Sequence, residues 1–229
     1  MSKTIKRVLW SLVAIALIVS LSLPQYFYLK GLDDVPENRD PLSELSIPTS
    51  VSQAYWRYIG GAGEPKMEPK NPYEFLFDFF VLVASDDNDY RWTAEYDLLS
   101  WAARSVMFRE KFSGDWHLSN ASALIWISRN WTVDETIATV LQTDYFGHGF
   151  RGIDEAAVGY FGRSLERISE AETVYLLVIT PGPSRRDPWC NPSTHSEIFS
   201  SNAARIGLDV EYDSIEVLRA PLDACRDSN

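Results

Sequence analysis

The chain has 229 residues, 45% of them hydrophobic and 13% aromatic, and a formal net charge of -11. That composition supports a packed core and excludes a wholly disordered chain. The acidic balance argues against a nucleic-acid-binding body, which would carry a basic patch.

The N-terminus reads "MSKTIKRVLWSLVAIALIVSLSLPQYFYLKGL". Lys3, Lys6 and Arg7 open it, and no charge follows until Lys30. The apolar run between them is about the 20 residues that cross a bilayer. Tyr26, Phe27 and Tyr28 suit an interfacial aromatic belt, and the basic flank suits the cytoplasmic side. Residues 1–30 are therefore expected to form an uncleaved membrane anchor. The protein would cross a membrane once, with its body in the extracytoplasmic space. A cleaved signal peptide is the rival reading, although Ser20-Leu21-Ser22 is a poor cleavage site and the run is long for a signal. A buried core helix is the third. With the basic leader set aside the body is more acidic still, so tethering rests on the helix and not on attraction to anionic lipid.

Residues 31–72 are polar and rich in Pro and Gly, and read as a stalk and loop region. Residues 73–229 read as one mostly α domain. Helical patterns cover 73–85, 95–112, 119–130 and 132–142, and a further apolar helix covers 171–180 before Pro181. Thr132 with Glu135, and Ser169 with Glu172, have the spacing of capping boxes. Between them lies "DYFGHGFRGIDEAAVGYFGR" (144–163), where Gly147, Gly149 and Gly152 permit a sharp turn ahead of a short, Ala-rich helix.

Cys190 and Cys225 both lie near the C-terminus. An oxidising compartment would permit a disulfide between them, and two free thiols are the alternative. No Cys-x-x-Cys or His-rich spacing points to a metal site. His117, His148 and His195 are scattered and are expected on the surface or in loops.

Residues 132–188 resemble the C-terminal half of the family 51 glycosyltransferase domain, the peptidoglycan transglycosylase module of penicillin-binding proteins and monofunctional transglycosylases. The resemblance is carried by Thr132-Val133-Asp134-Glu135, Leu141-Gln142, Tyr145-Phe146-Gly147, Gly152-Ile153 with Ala156-Ala157, and Tyr160-Phe161-Gly162-Arg163. Glu170-Ala171-Glu172, Leu176-Leu177 and Pro183-Ser184 through Pro188 continue it in the same order. It implies a lysozyme-like helical fold behind a single transmembrane helix. It also implies chemistry on lipid-linked disaccharides, with a glutamate as general base and basic residues or a divalent cation offsetting the leaving pyrophosphate. No other cofactor is implied. The implied partners are the cytoplasmic membrane, the lipid-linked precursor and cell-wall synthesis proteins, with no nucleic acid.

The family's catalytic motifs are not preserved. Its Glu-Asp-x-x-Phe is met only by Asp86-Asp87-Asn88-Asp89-Tyr90, with Asp86 at the glutamate or, in another register, Ser85. Its Gly-Gly-Ser-Thr segment corresponds to Ala94–Ser105, where Ala103-Arg104 alone keeps the family character. Ser128 stands where a second glutamate is usual. Asp86 is the candidate base if the protein is active, although a solvated acidic turn is the plainer reading of 86–89. Arg104, Arg151 and Arg163 are the candidate contacts to substrate. The expected function is a glycosyltransferase-like envelope protein with weak or no catalysis and a binding or scaffold role in cell-wall biogenesis. The alternative is an active divergent transglycosylase.

Overall fold

The computed structural model describes residues 3–42, 46–84, 93–109, 114–219 and 224–225. Helix α1 (Lys3–Asp33) contains an apolar stretch long enough to cross a membrane, none of which is buried in protein. Its last turns instead meet the body. Tyr28 is buried, and Gly31 sits so close to α5 (Trp116–Asn130) that a Cβ there would fall 2.3 Å from Ser122 Oγ. Only a residue without a side chain allows that approach.

The segment expected as stalk and loop is largely folded onto the body. Val35 is buried, and Arg39 donates to the carbonyls of Pro36, Leu32 and Val35 at 2.7, 3.1 and 3.2 Å. The Trp131 indole donates to the Arg39 carbonyl at 3.0 Å. Helix α2 (Thr49–Tyr58) follows, buries Val51, Ala54, Tyr55 and Trp56, and packs against helix α8 (Glu170–Ile179).

Helices α3 (Pro72–Ala84), α4 (Ala94–Met107), α5 and α6 (Val133–Thr143) correspond to the four helical patterns in the sequence. α4 starts on a Thr93 cap that accepts from the Tyr96 amide, and α5 on an Asp115 cap that accepts from Leu118 at 2.8 Å. α4 lies between α5 and α6 and gives Leu98, Leu99, Ala102, Ala103, Val106 and Met107 to the core. Helix α7 (Ile153–Phe161) is the short Ala-rich one. Helix α8 (Glu170–Ile179) is buried from Glu172 to Ile179, as an all-round apolar helix must be. Helix α9 (Pro192–Arg205) packs on α8 through Phe199 and Ala203. Among the described residues there is no strand, only an isolated bridge between Tyr145 and Arg151.

His195 departs from the surface or loop position expected of it. It is fully buried in α9, with Nδ1 3.1 Å from the Tyr212 hydroxyl and Nε2 3.0 Å from the Tyr175 carbonyl. Burial pushes it down to about 4, so the ring is neutral at physiological pH.

The two Tyr-Phe-Gly copies bracket one turn. Gly152 (φ 86°) returns its amide to the Asp144 carbonyl at 2.9 Å, and Gly162 (φ 65°) ends α7 in the left-handed conformation. Tyr160 crosses the gap: its buried hydroxyl donates to the Phe146 carbonyl at 2.9 Å. Phe146 and Tyr160 are both completely enclosed.

Both capping boxes form. Glu135 accepts from the Thr132 amide at 2.7 Å, and Glu172 from the Ser169 amide at 2.7 Å. Glu172 is also paired with Arg163. Removing its carboxylate strands the Ser169 amide at the start of the central helix. Glu172→Ala should therefore cost about 1–2 kcal/mol, measured by urea unfolding, while Glu172→Gln, which can keep the box, should cost less. Equal costs for the two would show that the Arg163 charge pair, and not the cap, carries the effect.

Candidate functional site

Where the resemblance places the chemistry, between α3, α4 and α5, a polar network closes on a lysine. Lys70 is 6% exposed. Its Nζ lies 2.9 Å from Glu95 Oε2 and 5.1 Å from the centre of the Tyr96 ring. The other oxygen of Glu95 accepts from the Glu68 amide. The Lys70 backbone is fixed as well. Its amide donates to Ser128 Oγ at 2.9 Å, and its carbonyl accepts from Arg129 Nε at 2.6 Å. Tyr96 donates in turn to Asp78 on α3, and that contact adds to burial in raising the Tyr96 hydroxyl far above its ordinary range. Ser128 thus binds the backbone of a loop from the position where the family usually has a glutamate.

A cleft of about 910 Å³ opens beside this network. Trp56, Tyr58 and Trp101 give it aromatic walls, Glu68, Glu95 and Asp97 give it carboxylates, and Lys66, Asn202 and Arg205 give it donors. Aromatic faces alternating with hydrogen-bonding groups suit a polyhydroxylated ligand, whose C–H faces stack while its hydroxyls pair. A second groove of about 540 Å³ lies nearer α1, lined by Phe75, Leu76, Phe79, Trp116 and Leu124. It is largely apolar.

Asp144, at the C-cap of α6, adds an electrostatic feature. Burial lifts its carboxyl to about 7, opposed in part by Arg104. Burial also raises Tyr55, with Asp144 and Asp97 adding to the effect. Tyr58 is raised by burial too, held back by Arg186 and Arg205.

The sequence-proposed site residues are dispersed. Asp86 lies outside the described residues, as do Ser85, Asp87, Asp89 and Tyr90. Arg104 is exposed on α4, stacked at 5.6 Å over Trp101 and 5.0 Å over Phe108. Arg151 stacks at 5.7 Å over Tyr145 in the glycine turn. Arg163 is engaged by Glu172. These three arginines serve three separate local structures. Of them, Arg104 stands nearest the cleft, through its stack on Trp101. Cys190 and Cys225 are joined by a disulfide, with Cα atoms 5.4 Å apart. Lys70 was not foreseen: it sits in a Gly- and Pro-rich segment, and its partners are 25 and 58 residues away.

Residues 103–206 match the family model described as Transglycosylase. Penicillin-binding protein 1A of Vibrio cholerae is 24% identical over 98% of this chain and 30% of its own length. Its counterpart in Pseudomonas aeruginosa is 24% identical over 85% of this chain and 27% of its own length. Penicillin-binding protein 2D of Bacillus subtilis is 36% identical over a shorter stretch, 31% of this chain and 10% of that protein. The chain thus spans less than a third of each of these relatives. The helical architecture and these matches together support a peptidoglycan transglycosylase-like domain in this chain.

Proposed function

We propose that this protein is a membrane-anchored, glycosyltransferase-like component of the cell envelope that binds a glycan or its lipid-linked precursor and polymerises it weakly or not at all. One observation carries the reading: at the edge of the cleft, Glu95 already has one oxygen on Lys70 and the other on the Glu68 amide. A general base needs a free oxygen within hydrogen-bonding reach of the acceptor hydroxyl. Ser128, in the place of a second glutamate, has no carboxylate to offer and already binds Lys70. The cleft meanwhile keeps the aromatic and polar walls that sugar binding uses.

Anchoring through α1 is part of the proposal. It is supported by the unburied apolar stretch and by α3, whose Tyr73 hydroxyl donates to the Leu21 carbonyl beside exposed Phe77 and Phe80. Those side chains and the apolar groove suit the lipid portion of a precursor.

The test is polymerisation of lipid-linked disaccharide by purified full-length protein, alongside binding of glycan strands. No polymerisation above background is expected, and Asp86→Asn should change nothing. Trp101→Ala should weaken glycan binding about tenfold, as loss of an aromatic anchor does. Robust polymerisation abolished by Asp86→Asn would establish the active-enzyme reading in its place.

A further inference from the structure

The turn at 147–150 and the turn at 187–190 meet around a cluster that neither the cleft nor the membrane reading uses. His148 is the one non-glycine residue with positive φ, 49°, among the described residues. That twist lays its ring on Trp189, centroids 4.8 Å apart, and turns Nε2 toward Asp187. Nε2 is buried and pairs with Asp187 Oδ2 at 2.5 Å, with no further hydrogen-bond partner among the described residues. Asp187 is 6% exposed, and its Oδ1 accepts from the amides of Trp189 and Cys190 at 2.8 and 3.1 Å. Cys190 Sγ completes the group: the three donor atoms all lie within 4.8 Å of one another.

An imidazole nitrogen and a sulfur from half-buried residues and a carboxylate oxygen from a buried one are zinc ligands in type. As long as Cys190 is bonded to Cys225 its sulfur is no thiolate, and the set is incomplete. We propose that reduction of this disulfide opens a binding site for zinc, made of His148 Nε2, Asp187 Oδ2 and Cys190 Sγ, with Cys225 Sγ as the fourth ligand.

The chemistry balances with a dithiol as reductant. It gives two electrons and two protons to the S–S bond, becomes a disulfide itself, and leaves two thiols on the protein. Zinc then binds two thiolates, and the two thiol protons pass to solvent. Metal–ligand bonds of about 2.0–2.3 Å in a tetrahedron put donor atoms about 3.3–3.8 Å apart. The His148–Asp187 contact must open, and the widest pair close, by about 1 Å each. The two amides on Asp187 Oδ1 already hold the carboxylate from behind, as outer-shell partners of metal ligands do. Because His148 stands in the first Tyr-Phe-Gly turn, the ion would tie that turn to the C-terminal segment.

The experiment titrates full-length protein with Co²⁺, a spectroscopic substitute for zinc, before and after reduction by a water-soluble phosphine. The phosphine takes its oxygen from water and leaves as the phosphine oxide. One Co²⁺ per chain, with a thiolate-to-metal charge-transfer band that appears only after reduction and is displaced by Zn²⁺, is expected. His148→Ala and Asp187→Asn should each weaken reduced-state binding roughly tenfold or more. Cys225→Ser removes the disulfide without reductant and should bind Co²⁺ in untreated protein, with a weaker band. No charge-transfer band in either the reduced protein or Cys225→Ser overturns the proposal. So does binding that His148→Ala leaves unchanged, which would mark simple thiol capture.

Discussion

Glu95→Ala should destabilise the protein by about 3–5 kcal/mol at neutral pH, measured by urea unfolding. The side chain of Lys70 is 7% exposed, and Glu95 is its ion-pair partner. Removing the glutamate leaves the largely buried ammonium without its ion-pair partner, beside the Tyr96 ring face. The Glu68 amide loses its acceptor as well. Glu95→Gln retains that acceptor and the shape, and should cost less than the alanine. Replacing both members, Lys70→Met with Glu95→Leu, removes the buried charges together and should recover most of the loss, since apolar substitutes of similar volume often match a buried pair. A double variant as unstable as the single alanine would show that the Lys70 backbone contacts, not the charges, hold this region. If the cleft is a binding site, the double variant should still bind glycan through Tyr58 and Trp101.

The second large effect is a pH dependence hidden in the unmodified protein. Burial lowers His195 from 6.5 to about 4, so its contribution is complete above pH 6.5 and is lost as pH falls toward 4. Burial raises Asp144 from 3.8 to about 7, so stability falls as pH rises from about 4 to 7, where the folded state must give up a proton it holds tightly. The two slopes oppose each other across the same window. At about 1.4 kcal/mol per pH unit, the first is on the order of 3 kcal/mol and the second on the order of 4 kcal/mol. Asp144→Asn should therefore match the unmodified protein near pH 4 and exceed it by about 2–4 kcal/mol at pH 8. The same variant should lose about 3 kcal/mol between pH 6.5 and 4, and His195→Gln should remove that loss. A constant difference between Asp144→Asn and the parent at every pH would show that Asp144 is not the group that titrates.

The helices that sequence made legible were those whose signals are local. Thr132 with Glu135 and Ser169 with Glu172 are three residues apart, so their boxes could be read without knowing the fold. α2 and α9 were not foreseen. "TSVSQAYWRY" follows a proline and looks like the polar segment before it, and α9 buries few side chains, chiefly His195, Phe199 and Ala203. A helix that buries so narrow a face leaves little periodicity. The site was harder still. Lys70, Glu95 and Ser128 come from a loop and two helices, and only packing makes them neighbours. His195 looked like any isolated histidine. Its burial follows from Tyr175 and Tyr212, whose rings stack on each other 5.5 Å apart and both pack against the imidazole.

The close seat of Gly31 on α5 bears on mechanics. Were the apolar helix joined to the body by a flexible linker, the cleft would sweep a volume whose radius grows as the square root of linker length. Here α1 continues unbroken to Asp33, and its final turns are clasped by α5 and by the Arg39 contacts. The body is therefore carried like a blade on a handle. Tilting the handle tilts the cleft, and a bulky side chain at residue 31 would act as a wedge that changes the angle at which the cleft is presented.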